Sequence, residues 1–110
     1  MKSDKQKRLE KAGWKVGDAA DFLRLNEDER RFVEMKLALA EGLRERRTKL
    51  GVTQEDLARR LASSQSRVAK MEAADRTVSL DLLVRGLLAL GATRQAIARL
   101  IGLPERVRAA

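Results

Sequence analysis

Gln65, Ser66 and Lys70 are the residues of this chain best equipped to read a polar surface. They stand in the stretch LASSQSRVAKME, residues 61–72, where three serines and a glutamine interrupt a chain otherwise rich in Leu, Ala, Arg and Glu. An amide supplies a donor and an acceptor together, a hydroxyl supplies a short adaptable contact, and an ammonium supplies a cation. Those groups suit hydrogen bonding to base edges and phosphate rather than bond breaking. The chain has no Cys and no His, which removes thiol nucleophiles, zinc fingers and the usual carrier of protons near neutral pH. No cofactor or metal site is expected, and nothing in the sequence points to an enzyme.

A helix must position these groups. One helix stops after Leu61 and another starts near Gln65, with the Ser64 hydroxyl as its N-cap. Over residues 65–73, Val68, Met71 and Glu72 share one face, and Gln65, Ser66, Ala69, Lys70 and Ala73 share the other. The second face is small, polar and basic. A helix entering a DNA major groove needs those properties, with its hydrogen-bonding side chains at the N-terminal end. An ordinary solvated face is the alternative reading.

The surrounding elements are helical as well. Asn26 and Glu29 make an N-x-x-E box ahead of a helix running from Glu27 to about Leu50. Phe32, Met35, Leu39 and Leu43, with Val33, Leu37 and Ala40 beside them, give it an apolar stripe. Gly51 follows as a C-terminal stop. Thr53 caps the next helix, with Asp56 at N3, Leu57, Ala58 and Leu61 facing inward, and Glu55, Arg59 and Arg60 facing out. Ser79 caps a fourth helix that ends at Gly91, and Thr93 a fifth that ends at Gly102 ahead of Pro104. Gly86 inside the fourth helix costs about 1 kcal/mol against Ala, so close packing against a neighbour is expected there. A short helix is expected over 18–25.

The 110 residues suit one domain, and 24 Lys and Arg against 16 Asp and Glu leave a net charge of +8. A polyanion such as nucleic acid is the simplest partner for that balance. Residues 18–35 run against it, with three basic and six acidic side chains. No apolar run approaches the roughly 18 residues of a membrane span, and the charged N-terminus lacks a secretory h-region. A cytoplasmic, nucleoid-associated protein with no membrane partner is expected.

Four pieces in fixed order then carry a resemblance. LRERR precedes Gly51, TQEDLA follows it, SQSRVAKME comes next, and SLDLL closes the set. Residues 43–91 resemble the helix-turn-helix domain of lambda-repressor-like regulators (the Cro/C1, or Xre, family). The resemblance implies an all-α, five-helix domain over 26–103, preceded by an N-terminal extension (1–25) and followed by a short tail (104–110). It implies double-stranded DNA as partner. Base contacts would fall to Gln65, Ser66 and Lys70, the last reaching either a base or a phosphate. Phosphate contacts would fall to Gln54, Ser64, Arg67, Arg76 and Arg59, with Gln54 also bracing the recognition helix. Arg47 and Glu72 match a structural ion pair. One departure stands out: the family usually places Gly in the turn where this chain has Ala62.

A repressor acting as a homodimer is the expected function, because one helix-turn-helix makes few base contacts. Ile97, Leu100, Ile101 and Leu103 are dimer candidates that could equally complete the core. Trp14 and Phe22 lie in the extension and either fold back on the domain or contact a partner. On the partner reading, the chain also resembles HigA-type antitoxins, which bind a basic RNase toxin and repress their own operon. The acidic stretch suits such a partner. A non-specific nucleoid-type binder is the third reading.

Overall fold

Helix caps and stops written into the sequence divide the described residues into five helices. The computed structural model describes residues 27–102, together with Lys7. They are α1 (Glu27–Lys49), α2 (Gln54–Arg60), α3 (Gln65–Glu72), α4 (Leu80–Ala89) and α5 (Arg94–Gly102). The described residues contain no strand. The expected helix over 18–25, the Asn26 cap, Trp14, Phe22, Leu103 and the tail 104–110 lie outside the described residues.

Each of the four later helices begins with a hydroxyl accepting the backbone N–H three residues on. Thr53 accepts from Asp56 at 3.0 Å, Ser64 from Arg67 at 3.2 Å, Ser79 from Leu82 at 3.2 Å and Thr93 from Ala96 at 3.0 Å. Each such cap contributes about 1 kcal/mol. Asp56 also accepts from the Thr53 N–H, which completes a capping box. Those bonds to Thr53 hold the Asp56 carboxyl below the usual carboxylate range, with the neighbouring Arg59 helping. α1 carries Glu27, Asp28 and Glu29 in its first turn and Arg46, Arg47 and Lys49 in its last, matching its dipole at both ends.

Four helices end alike. In α1, α2, α3 and α4 the N–H two residues past the C-cap reaches back to the carbonyl five positions earlier: Val52 to Arg47, Ser63 to Ala58, Asp75 to Lys70 and Ala92 to Leu87. This Schellman arrangement puts the residue between in the left-handed region. Gly51 and Gly91 occupy two of those positions, but Ala62 (φ 51°) and Ala74 (φ 55°) occupy the other two. The turn does require φ > 0 at Ala62, so the alanine there is strained. An L-residue in this conformation costs about 1–2 kcal/mol, of which glycine's extra unfolded-state freedom offsets a part. Ala62→Gly is therefore expected to raise the unfolding free energy by about 0.5–1 kcal/mol in a urea titration, with DNA affinity unchanged.

The core is built where α1 passes under α3, α4 and α5. Leu39 and Leu43 of α1, Leu57 of α2, Val68 and Met71 of α3, and Leu83 and Leu87 of α4 are fully enclosed. Lys36 through Ala40 are buried in succession, so α1 is covered around its whole circumference there. The apolar stripe differs from the expectation at its start. Burial begins at Val33, Met35 is only half-buried, and Phe32 is 46% exposed because it sits in the turn just outside the covered stretch. Gly86 answers the packing expectation. A Cβ there would lie 2.9 Å from Met71 Cε and 3.0 Å from Leu43 Cδ1, so its absence lets α4 close on α1 and α3 together. Ile97 is part of the core, the Leu100 methyls lie against Gly42, and Ile101 is half-buried.

Candidate nucleic-acid interface

α3 divides as its residue types require. Val68, Met71 and Glu72 are buried, while Gln65, Ser66, Arg67, Lys70 and Ala73 are exposed and Ala69 is half-buried. Ser64, at the N-cap, is exposed too, and its hydroxyl lies 3.2 Å from that of Ser66. The end of α3 that carries Gln65 and Ser66 therefore presents polar groups at the surface.

Beneath this face lies a hydrogen-bonded chain joining three helices. Arg47 of α1 grips both oxygens of Glu72: its Nε donates to Oε2 and its Nη2 to Oε1 at 3.0 Å. The side chains are 13% and 6% exposed. Arg47 Nη1 also donates to the Val52 carbonyl at 2.9 Å, which fixes the loop between α1 and α2. Gln54, first residue of α2, donates from Nε2 to Glu72 Oε1 at 3.0 Å. Gln65 in turn donates from Nε2 to Gln54 Oε1 at 2.6 Å. The hydrogen bonds to Glu72 raise the Arg47 pKa further, against a smaller opposing effect of burial. The link between Gln54 and Gln65 is not deducible from spacing alone, since it depends on where two helices cross.

The cations expected at phosphate are exposed on α2, on α3 and in the loop after it. Arg67 and Arg76 are exposed, on α3 and in the loop after it. Arg59 is exposed but pairs with Asp56 three residues earlier. An exposed pair of this kind is worth little, so the guanidinium remains recruitable. Gln54 is half-buried by the contacts just described.

Sequence reasoning missed the segment that closes α3. Asp75 accepts from the Thr77 N–H at 2.9 Å and from its hydroxyl at 2.6 Å. These bonds hold the Asp75 carboxyl below the usual range, and the charges of Lys70 and Lys36 act in the same direction. Lys36, on α1, is buried, which pushes its pKa down against the opposing pull of Asp75. Nothing in the sequence singles out a lysine within an apolar stripe as a partner for a loop 39 positions on. A carboxyl with a depressed folded-state pKa stabilises above its unfolded pKa of about 3.9, and loses that contribution as pH falls through the folded value. Asp75→Asn is accordingly expected to flatten the acid limb of stability below about pH 4, measured as urea midpoints across a pH series.

No curated protein and no solved structure matches the chain. The helix-turn-helix family model matches residues 43–93, which takes in the end of α1, all of α2, α3 and α4, and the cap of α5. Among the described residues no helix is long and apolar enough to cross a membrane. The matched span holds the Thr53-capped α2, the turn at Ala62 and the α3 face with its buried ion pair. Residues 43–93 thus match the DNA-binding helix-turn-helix family of Cro/C1, or Xre, type.

Proposed function

We propose that the protein is a sequence-specific transcriptional repressor that binds a palindromic operator as a homodimer. One observation carries this reading: the small, polar and basic face of α3 is exposed at its N-terminal end while the opposite face is locked into the core. Gln65 and Ser66 meet base edges, and Lys70 meets a base or phosphate. Gln54, Ser64, Arg67, Arg76 and Arg59 hold the backbone, which positions the helix without reading sequence. A dimer doubles the base contacts and sets half-sites about one helical turn apart. Leu88, 50% exposed, and the half-buried Ile101 offer apolar surface for it. Such a protein works in the cytoplasm, on the nucleoid.

Selection of bound sites from random double-stranded DNA tests the proposal. The expected result is a two-fold symmetric motif with half-site centres about 10 base pairs apart. Equal affinity for random competitor DNA overturns it and leaves a non-specific binder.

A second reading, an antitoxin that neutralises a basic RNase and represses its own operon, is favoured by the start of α1. There Phe32 is 46% exposed beside the exposed acids Glu27, Asp28 and Glu29. An exposed aromatic with acids in the preceding turn, although Arg30 and Arg31 stand between them in sequence, suits a basic partner. Trp14 and Phe22 are further contacts for the partner on this reading. On this reading, joint replacement of Trp14, Phe22 and Phe32 by Ala abolishes capture of a small basic RNase encoded next to this chain and spares operator affinity. Absence of any such capture by the unaltered protein removes the reading.

A further inference from the structure

We infer that Glu72, which is buried and faces away from DNA, sets the base preference of Gln65 by fixing which way its amide points. The inference rests on the reading that Gln65 meets a base. An ionised carboxylate only accepts hydrogen bonds, and a guanidinium only donates them. Glu72, held by Arg47, can therefore take only the NH2 of Gln54, and that bond is present at 3.0 Å. Gln54 is then left to offer its oxygen to α3. Gln65 must answer with its own NH2, as it does at 2.6 Å. Every donor in the relay points toward Glu72, so the polarity of two neutral amides is decided by one charge.

The consequence falls on the exposed end of the relay. With one N–H given to Gln54, Gln65 has left one acceptor, Oε1, and one N–H. Adenine presents one acceptor, N7, and one donor group, N6-H2, in the major groove, whereas guanine presents two acceptors, N7 and O6. The remaining edge of Gln65 matches adenine and lacks the second donor for guanine. An amide in place of the carboxylate removes that constraint. Oε1 of Glu72 takes both Arg47 Nη2 and Gln54 Nε2. In Glu72→Gln either orientation of the new amide gives up one Arg47 bond, so Gln54 can meet it with either end. Gln54 and Gln65 are then free to turn, and Gln65 can present both N–H groups to the groove. The preference for adenine over guanine should weaken. Glu72 is thus a positioning residue for specificity.

The test uses the full chain and an operator obtained by selection, varied through all four base pairs at the position that Gln65→Ala desensitises. The unaltered protein should prefer adenine. Glu72→Gln should lower the adenine-to-guanine affinity ratio about tenfold or more, in line with the discrimination of one bidentate base contact. Gln54→Met keeps the Arg47–Glu72 pair and releases the Gln65 amide, so its ratio should fall toward equality. Folding of each variant is checked by circular dichroism. Should Glu72→Gln fail to fold, Gln54→Met decides alone. A uniform loss of affinity with the ratio unchanged in the folded variants overturns the inference and leaves Glu72 a purely structural residue. If Gln65→Ala desensitises no position at all, the failure lies earlier, in the base-reading role of Gln65.

Discussion

Glu72→Ala is expected to lower the free energy of unfolding by about 3–5 kcal/mol, the cost of leaving one partner of a buried ion pair alone. The Arg47 side chain is only 13% exposed. Once the carboxylate is gone it keeps a single hydrogen bond to the Val52 carbonyl, and the Gln54 amide loses its acceptor as well. A domain held by about 5–15 kcal/mol would sit near its unfolding threshold. The loss reflects an uncompensated charge more than the intrinsic worth of the pair. Replacing Arg47 and Glu72 together by Met should therefore cost much less than Glu72→Ala alone. Urea titration checks both variants. A loss under about 1 kcal/mol for Glu72→Ala would mean that water already solvates the pair.

The second large effect is on binding. Gln65→Ala should cost about 1–3 kcal/mol per half-site on the preferred operator and relax the preference at one base pair. Gln65 is exposed at the first turn of α3, where the helix end enters the groove, and its orientation is fixed before DNA arrives. Ser66 beside it can make only one short contact. Lys70→Ala separates two roles for the ammonium: a phosphate contact predicts a uniform loss across sequences with a shallower salt dependence, a base contact a loss confined to one position. Competition binding against operators varied one base pair at a time distinguishes these outcomes. Equal weakening of all sequences by Gln65→Ala would move specificity to DNA shape or to other residues.

Much of this was legible in the sequence because it is local. Thr53, Ser64, Ser79 and Thr93 mark helix starts through bonds spanning three residues, and the alternation along α3 assigns its buried and exposed faces. Ala62 could be flagged because the family that this stretch resembles usually places Gly there. Ala74 could not, since no glycine marks the end of α3 and only the folded backbone reveals its φ of 55°. Phe32 was misplaced because periodicity says which face a residue is on but not how far along the helix its neighbours reach. The bracing of α3 by Gln54 was expected, but Gln65 as its partner there, and the effect of the Lys36 charge on Asp75, escaped for a related reason. Both depend on the crossing of elements far apart in sequence, which no local pattern encodes.

The split of α3 into a locked face and an open one has an evolutionary consequence. Val68, Met71 and Glu72 supply its attachment to the core, and Ser66, Lys70 and Ala73 contribute almost nothing to it. Exposed substitutions away from caps and buried networks generally shift stability by less than about 0.5 kcal/mol. Ser66, Lys70 and Ala73 can therefore change through many residue types without pushing the chain toward its unfolding threshold. A duplicated copy could acquire a new target by single steps, each folded, while the inherited scaffold stays as it is. Gln65 is the exception. Its tie to Gln54 means that altering this one reader also disturbs the partner beneath it, so retargeting at that base pair touches the relay that braces α3, whereas retargeting at the others does not.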